Sequence, residues 1–167
     1  AEVDAMIQTL QAAIDELKAS QNPPIKVSTA TENYWYMIKD FRANPSWWKL
    51  GKYGEENNRL IMIKGVNLTE QQKTDSILFK FVKAPEPKTG YYIFSKLDET
   101  NAIGADETGN YLAVMPELPA TSFVYTPSTN ANYYLLMVEE TQSQLNSYAG
   151  YNPPYIAPIC CGKIDMR

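Results

Sequence analysis

The side chains best able to do chemistry in this chain are its carboxylates, tyrosines and tryptophans, because histidine is absent. Without an imidazole the commonest general base and the commonest metal ligand are both missing, which excludes serine–histidine, cysteine–histidine and histidine–metal chemistries. The pairs Asp98-Glu99, Asp106-Glu107 and Glu139-Glu140 offer the residue types of glycoside hydrolysis. That reaction needs two carboxyl groups roughly 5 to 9.5 Å apart across a cleft. Sequence neighbours on a strand point to opposite faces, so adjacency does not supply this geometry and the chain reads as a non-enzyme. Asp98, Asp106 and Glu107 with Asn101 and Asn110 have oxygens for calcium but lack the regular spacing of an EF-hand; they read as a solvated acidic turn. No cofactor or metal is expected. The adjacent cysteines Cys160-Cys161 are read as buried thiols, the alternative being a strained vicinal ring. Asn67-Leu68-Thr69 forms a glycosylation sequon, which matters only in a eukaryotic secretory setting.

Composition narrows the partners. The net charge of -4 argues against nucleic acid, since phosphate binding needs a basic face that releases counterions. Residues 1–83 hold 11 basic and 10 acidic groups and residues 84–167 hold 4 and 9, so a cationic partner would prefer the second half. No apolar run approaches the roughly 20 residues that span a bilayer, so membrane insertion is not expected. The 12 tyrosines and 3 tryptophans outnumber the 5 phenylalanines. Rings with a polar handle suit a half-buried sheet, and they also suit a surface that stacks on sugars.

The elements that must position these groups follow from periodicity. Val3, Met6, Ile7, Leu10, Ala13, Ile14 and Leu17 recur at three- and four-residue steps, predicting an amphipathic helix over 2–19 whose stripe must bury against something. Gln21-Asn22-Pro23-Pro24 stops it. The organisation expected is a helix over 1–22, an extended linker over 23–32 and a β domain over 33–167. Within the β domain the tetrad Tyr91-Tyr92-Ile93-Phe94 has near-copies at Trp35-Tyr36-Met37-Ile38 and Tyr133-Tyr134-Leu135-Leu136, starting 56 residues before it and 42 after it. A second echo joins Leu78-Phe79-Lys80-Phe81-Val82 to Thr121-Ser122-Phe123-Val124-Tyr125, 43 residues on; the same step reaches Lys163-Ile164-Asp165-Met166. Short strands between turn-rich segments, echoed three times, predict three units closing a short barrel. The fold class expected is therefore all-β with one N-terminal α-helix.

Two resemblances sharpen this. Gly90-Tyr91-Tyr92-Ile93-Phe94-Ser95, then Thr108-Gly109-Asn110-Tyr111-Leu112-Ala113-Val114, then Phe123-Val124-Tyr125 resembles the repeat unit of ricin-type β-trefoil lectin domains. The likeness extends over about residues 33–167, although Leu78-Phe79-Lys80-Phe81 stands where that family has a glutamine-x-tryptophan strand, and Val66 to Thr74 is an insertion. The N-terminal helix resembles the closing helix of small three-helix modules in extracellular bacterial proteins. The resemblance implies a β-trefoil-like barrel of three pseudo-repeats, covalently part of a larger multidomain protein. It implies a non-catalytic carbohydrate-binding module, secreted or on the cell surface of a bacterium, with a glycan as ligand. A protein-interaction or spacer module without a sugar site is the rival. Carried over by position, the family's acidic acceptor, aromatic platform and amide fall on Asp40, Trp47 or Trp48, and Asn57 or Asn58 in the first unit. They fall on Asp98 and Tyr111 in the second, and on Glu140, Asn146 and Tyr148 in the third, with Tyr151 a further platform. A carboxylate accepts from vicinal hydroxyls while a ring face stacks on the sugar. A turn or surface role is the plainer reading of each carboxylate, and a core position that of Trp48 and Tyr111.

Overall fold

The structure is a computed structural model that describes residues 3, 6–11, 25–40, 45–106, 111–127, 134–148, 152–153 and 155–158. It is mostly β, with a short helix (α1) over the described residues 6–11. The strands are β1 Ser46–Tyr53, β2 Glu56–Lys64, β3 Phe79–Lys83, β4 Tyr91–Ser95, β5 Asp98–Ala102 and β6 Gly104–Ala105. They continue with β7 Leu112–Ala113, β8 Phe123–Pro127, β9 Tyr134–Val138, β10 Ser143–Tyr148 and β11 Tyr155–Pro158. All strand pairings are antiparallel and join one sheet in the order β3-β4-β8-β9-β10-β11-β2-β7-β6, with β1 added on β2 and β5 on β4.

The sheet is not closed into the expected barrel: β3 and β6 are the two ends of the described path. Residues 163–166, which the repeat spacing assigns to a last strand, lie outside the described residues, as do Tyr133 and both cysteines. Residues 66–74, read as an insertion, lead through a 3-10 turn at Glu70–Gln72 into another at Asp75–Ile77, which buries Ile77 under the sheet.

Local sequence explains each hairpin. In β1 the burial alternates along Ser46, Trp48 and Leu50, as a strand with one face on the core requires. Tyr53 pairs with Glu56 across the two-residue turn Gly54-Glu55, and Gly54 sits at φ +60, the first-position glycine of a type II′ turn. The inward residues meet in one core of Trp48, Leu60, Phe79, Ile93, Leu112 and Phe123 with their neighbours. Trp48 meets Phe79 edge-on at 5.8 Å, a favourable aromatic geometry.

The first two aromatic tetrads each pair with a later strand, and the described part of the third pairs with the strand before it. Tyr36 bridges to Phe79, Tyr91 pairs with Phe123, and Tyr134 pairs with Pro127. The stretch before the first tetrad is anchored too, since Ser28 bridges Val82 and its N–H donates to the Phe81 carbonyl at 2.7 Å. The helical stripe behaves differently. Val3, Met6, Ile7 and Leu10 are 60–72% exposed, so these described residues do not bury on the β body. The rest of the expected helix, from residue 12 onward, lies outside the described residues.

Candidate functional site

The carboxylates assigned to sugar hydroxyls are each engaged with the protein itself. Asp40 follows a bridge between Lys39 and Trp47 and accepts from the Ser46 N–H at 3.1 Å, holding together the two ends of segment 41–44. Asp98 opens β5 and accepts from the Thr100 and Asn101 N–H groups at 2.9 and 3.0 Å and from Asn101 Nδ2 at 3.1 Å. Partial burial pushes its pKa up, but the hydrogen bonds from Asn101 and Thr100 outweigh this and hold it below the usual carboxylate value. Glu140 pairs with Lys88 at 2.6 Å and accepts from the Ser122 N–H at 3.4 Å. The hydrogen bond to Glu140 in turn raises the Lys88 pKa, against a smaller opposing effect of desolvation. Asp106 accepts from the Tyr111 N–H at 2.8 Å and so bridges the segment 107–110.

Glu139 is tied most heavily. Its carboxylate accepts from Thr89 N–H at 2.7 Å, Thr89 Oγ1 at 2.5 Å, Gly90 N–H at 3.1 Å and Ser122 Oγ at 2.5 Å. The Ser122 hydroxyl first, then the Thr89 hydroxyl and N–H, hold its pKa down to about 2. The result is a latch that fastens the end of β9 to the start of β4 and the entry to β8. Among the described residues no three Asp, Glu or Cys side chains converge on a metal position.

The expected platforms are committed to neighbours as well. Trp47 is half-buried, donates Nε1–H to the Gly65 carbonyl at 2.9 Å, and carries the Lys39 ammonium 5.3 Å from its ring centroid. Trp48 is in the core. Asn57 and Asn58 are exposed on β2, and Asn146 is half-buried in β10 opposite Ala157. Tyr148 pairs with Tyr155 through the backbone; its side chain, and the whole of Tyr151, lie outside the described residues. Within the first set Asp40 and Trp47 sit on neighbouring bridged segments, while the rings of the third set lie outside the described residues.

A different cluster is assembled where the hairpins meet. Strand β2 pairs with β7 through Arg59 and Ala113 and with β11 through Ile61 and Tyr155. This register stacks the Arg59 guanidinium 3.5 Å above the Tyr111 ring and 5.3 Å from Tyr53, while Tyr53 meets Tyr155 at 5.2 Å with ring planes crossing at 71°. Arg59 is 7% exposed and is the one charged residue in the buried set among the described residues. Its Nη1 pairs with Glu56, whose side chain is 54% exposed. Two crossed rings, a stacked guanidinium and a surface carboxylate form a polar–aromatic cluster. Of its residues, Tyr111 is among the sequence-derived candidates. Tyr53 and Arg59 flank the Gly54-Glu55 turn, a signal visible in the chain, but nothing local points to Tyr155 as their neighbour.

No family model, curated protein or solved structure matches the chain.

Proposed function

We propose that this chain is a non-catalytic carbohydrate-binding module of a secreted or cell-surface bacterial protein, built on a ricin-type, β-trefoil-like plan. The pairing order supports the plan. In the first two units the opening segment pairs with the closing strand of its own unit, Tyr36 with Phe79 and Tyr91 with Phe123. Each closing strand then pairs with the next opening strand, β3 with β4 and β8 with β9. Hairpins β1–β2 and β6–β7 lie between the opening and closing strands of the first two units, β10–β11 follows the third opening strand, and the three hairpins touch one another through β2, β7 and β11. The repeat spacing in the sequence assigns residues 163–166, outside the described residues, to the remaining closing strand.

The sugar reading is carried by the Tyr53–Tyr155 wall beside Arg59 and Glu56, because ring faces and fixed hydrogen-bonding groups together are what a sugar ring requires. Glycan-array binding lost on Tyr155→Ala and retained on Trp47→Ala is the expected outcome, with unfolding curves showing both variants folded. An array without hits, or binding indifferent to Tyr155, refutes it. The rival reading, a protein-interaction module, is favoured by the exposed stripe of Val3, Met6, Ile7 and Leu10. It predicts a partner or dimer lost on Ile7→Lys, measured by light scattering and pull-down.

A further inference from the structure

We propose that the hairpin-junction site recognises an acidic sugar, with Arg59 as the receptor for the sugar carboxylate and Glu56 as an internal competitor that must move aside. This rests on the carbohydrate-binding reading above and adds the ligand class. A buried guanidinium is costly to desolvate unless its partners compensate, and a buried ion pair contributes little stability over well-packed apolar groups. Here the pair is lopsided: the Arg59 side chain is 8% exposed and fixed by the Tyr111 and Tyr53 rings, while the Glu56 side chain is 54% exposed. The rings therefore hold the cation in place whether or not Glu56 sits on it. Glu56 lies directly after the Gly54-Glu55 turn and can rotate into solvent without disturbing the core.

A hexuronate or sialic-acid-type carboxylate placed on Arg59 reproduces the charge and geometry that Glu56 supplies, since a guanidinium favours planar carboxylates over neutral hydroxyls. The sugar ring would then lie along the crossed Tyr53 and Tyr155 rings. The overall charge of -4 does not oppose this, because the attraction is a contact at a desolvated cation rather than a long-range field.

The test is calorimetric and NMR titration of the chain with glucuronate and, separately, glucose. Glucuronate is expected to bind about tenfold tighter, the worth of one charge-assisted hydrogen bond, and to shift the Arg59 side-chain resonances. Glu56→Gln is expected to tighten glucuronate binding several-fold by removing the competitor, a gain that a merely structural Glu56 would not give. Arg59→Gln should make the two sugars equivalent; if that variant does not fold, Glu56→Gln and the Arg59 resonances still decide. Equal affinity for the two sugars, or weaker glucuronate binding in Glu56→Gln, overturns the proposal. Array hits confined to neutral glycans and dependent on Tyr155 would overturn it while leaving the carbohydrate reading intact; no binding to any sugar would sink both.

Discussion

Replacing Gly90 by alanine tests the packing on which both the strand order and the Glu139 latch depend. A Cβ added at Gly90 would lie 2.5 Å from the Phe123 carbonyl oxygen, 2.6 Å from Ser122 Oγ and 2.9 Å from the Phe123 carbonyl carbon. Ordinary contact begins near 3.4 Å, so one side must retreat by most of an ångström. The carbonyl belongs to the β8 backbone, which the Tyr91–Phe123 pairing and the pairing with β9 fix in place. Ser122 Oγ cannot turn away without leaving Glu139. Overpacking of this kind costs about 2–3 kcal/mol. For a chain of this size that corresponds to a fall in Tm of roughly 5–10 °C. Urea and thermal unfolding followed by tryptophan fluorescence measures it, with Trp48 in the core as reporter. Gly54→Ala is the control: nothing lies within 4 Å of its added Cβ, so only its φ of +60 matters, at about 1 kcal/mol. If Gly90→Ala is no more destabilised than Gly54→Ala, strands β4 and β8 do not approach as described and the reasoning fails.

The acid limb of stability should carry the signature of Glu139. Its folded pKa of about 2 lies below the unfolded value, so its contribution is fully present above roughly pH 4.3 and is lost as pH falls towards 2. Glu139→Gln should therefore lower Tm at neutral pH, with the gap to wild type closing across that window; a gap independent of pH would contradict the latch. Asp98→Ala should cost about 1–2 kcal/mol through its lost turn hydrogen bonds, and should leave glycan affinity unchanged by titration; lost binding would return Asp98 to the site. Ile164→Asp should lower Tm by several degrees if residues 163–166 complete the ring, and wild-type stability in that variant would count against closure.

Several features could be read before any coordinates because their causes are local. The strands at 79–83, 91–95 and 123–127 follow from side-chain period and turn chemistry, whereas β1 at 46–53 is a strand that sequence did not single out. The core place of Trp48 followed from the same patterns. The site residues were harder. Asp40, Asp98 and Glu140 look alike in sequence whether they face a ligand or a backbone N–H, and only their neighbours in space distinguish the two.

The chain by itself determined a β-rich body of short antiparallel strands behind an amphipathic helix, and ruled out histidine chemistry by composition. Tertiary structure alone decided that Glu139 would fasten Thr89, Gly90 and Ser122 across up to 50 positions of sequence. It also decided that Arg59 would be buried between tyrosines of two hairpins, with a third hairpin's tyrosine against them. The physical reason is that periodicity fixes which face a residue takes, whereas register between distant strands fixes which residues meet, and register is a property of the whole sheet.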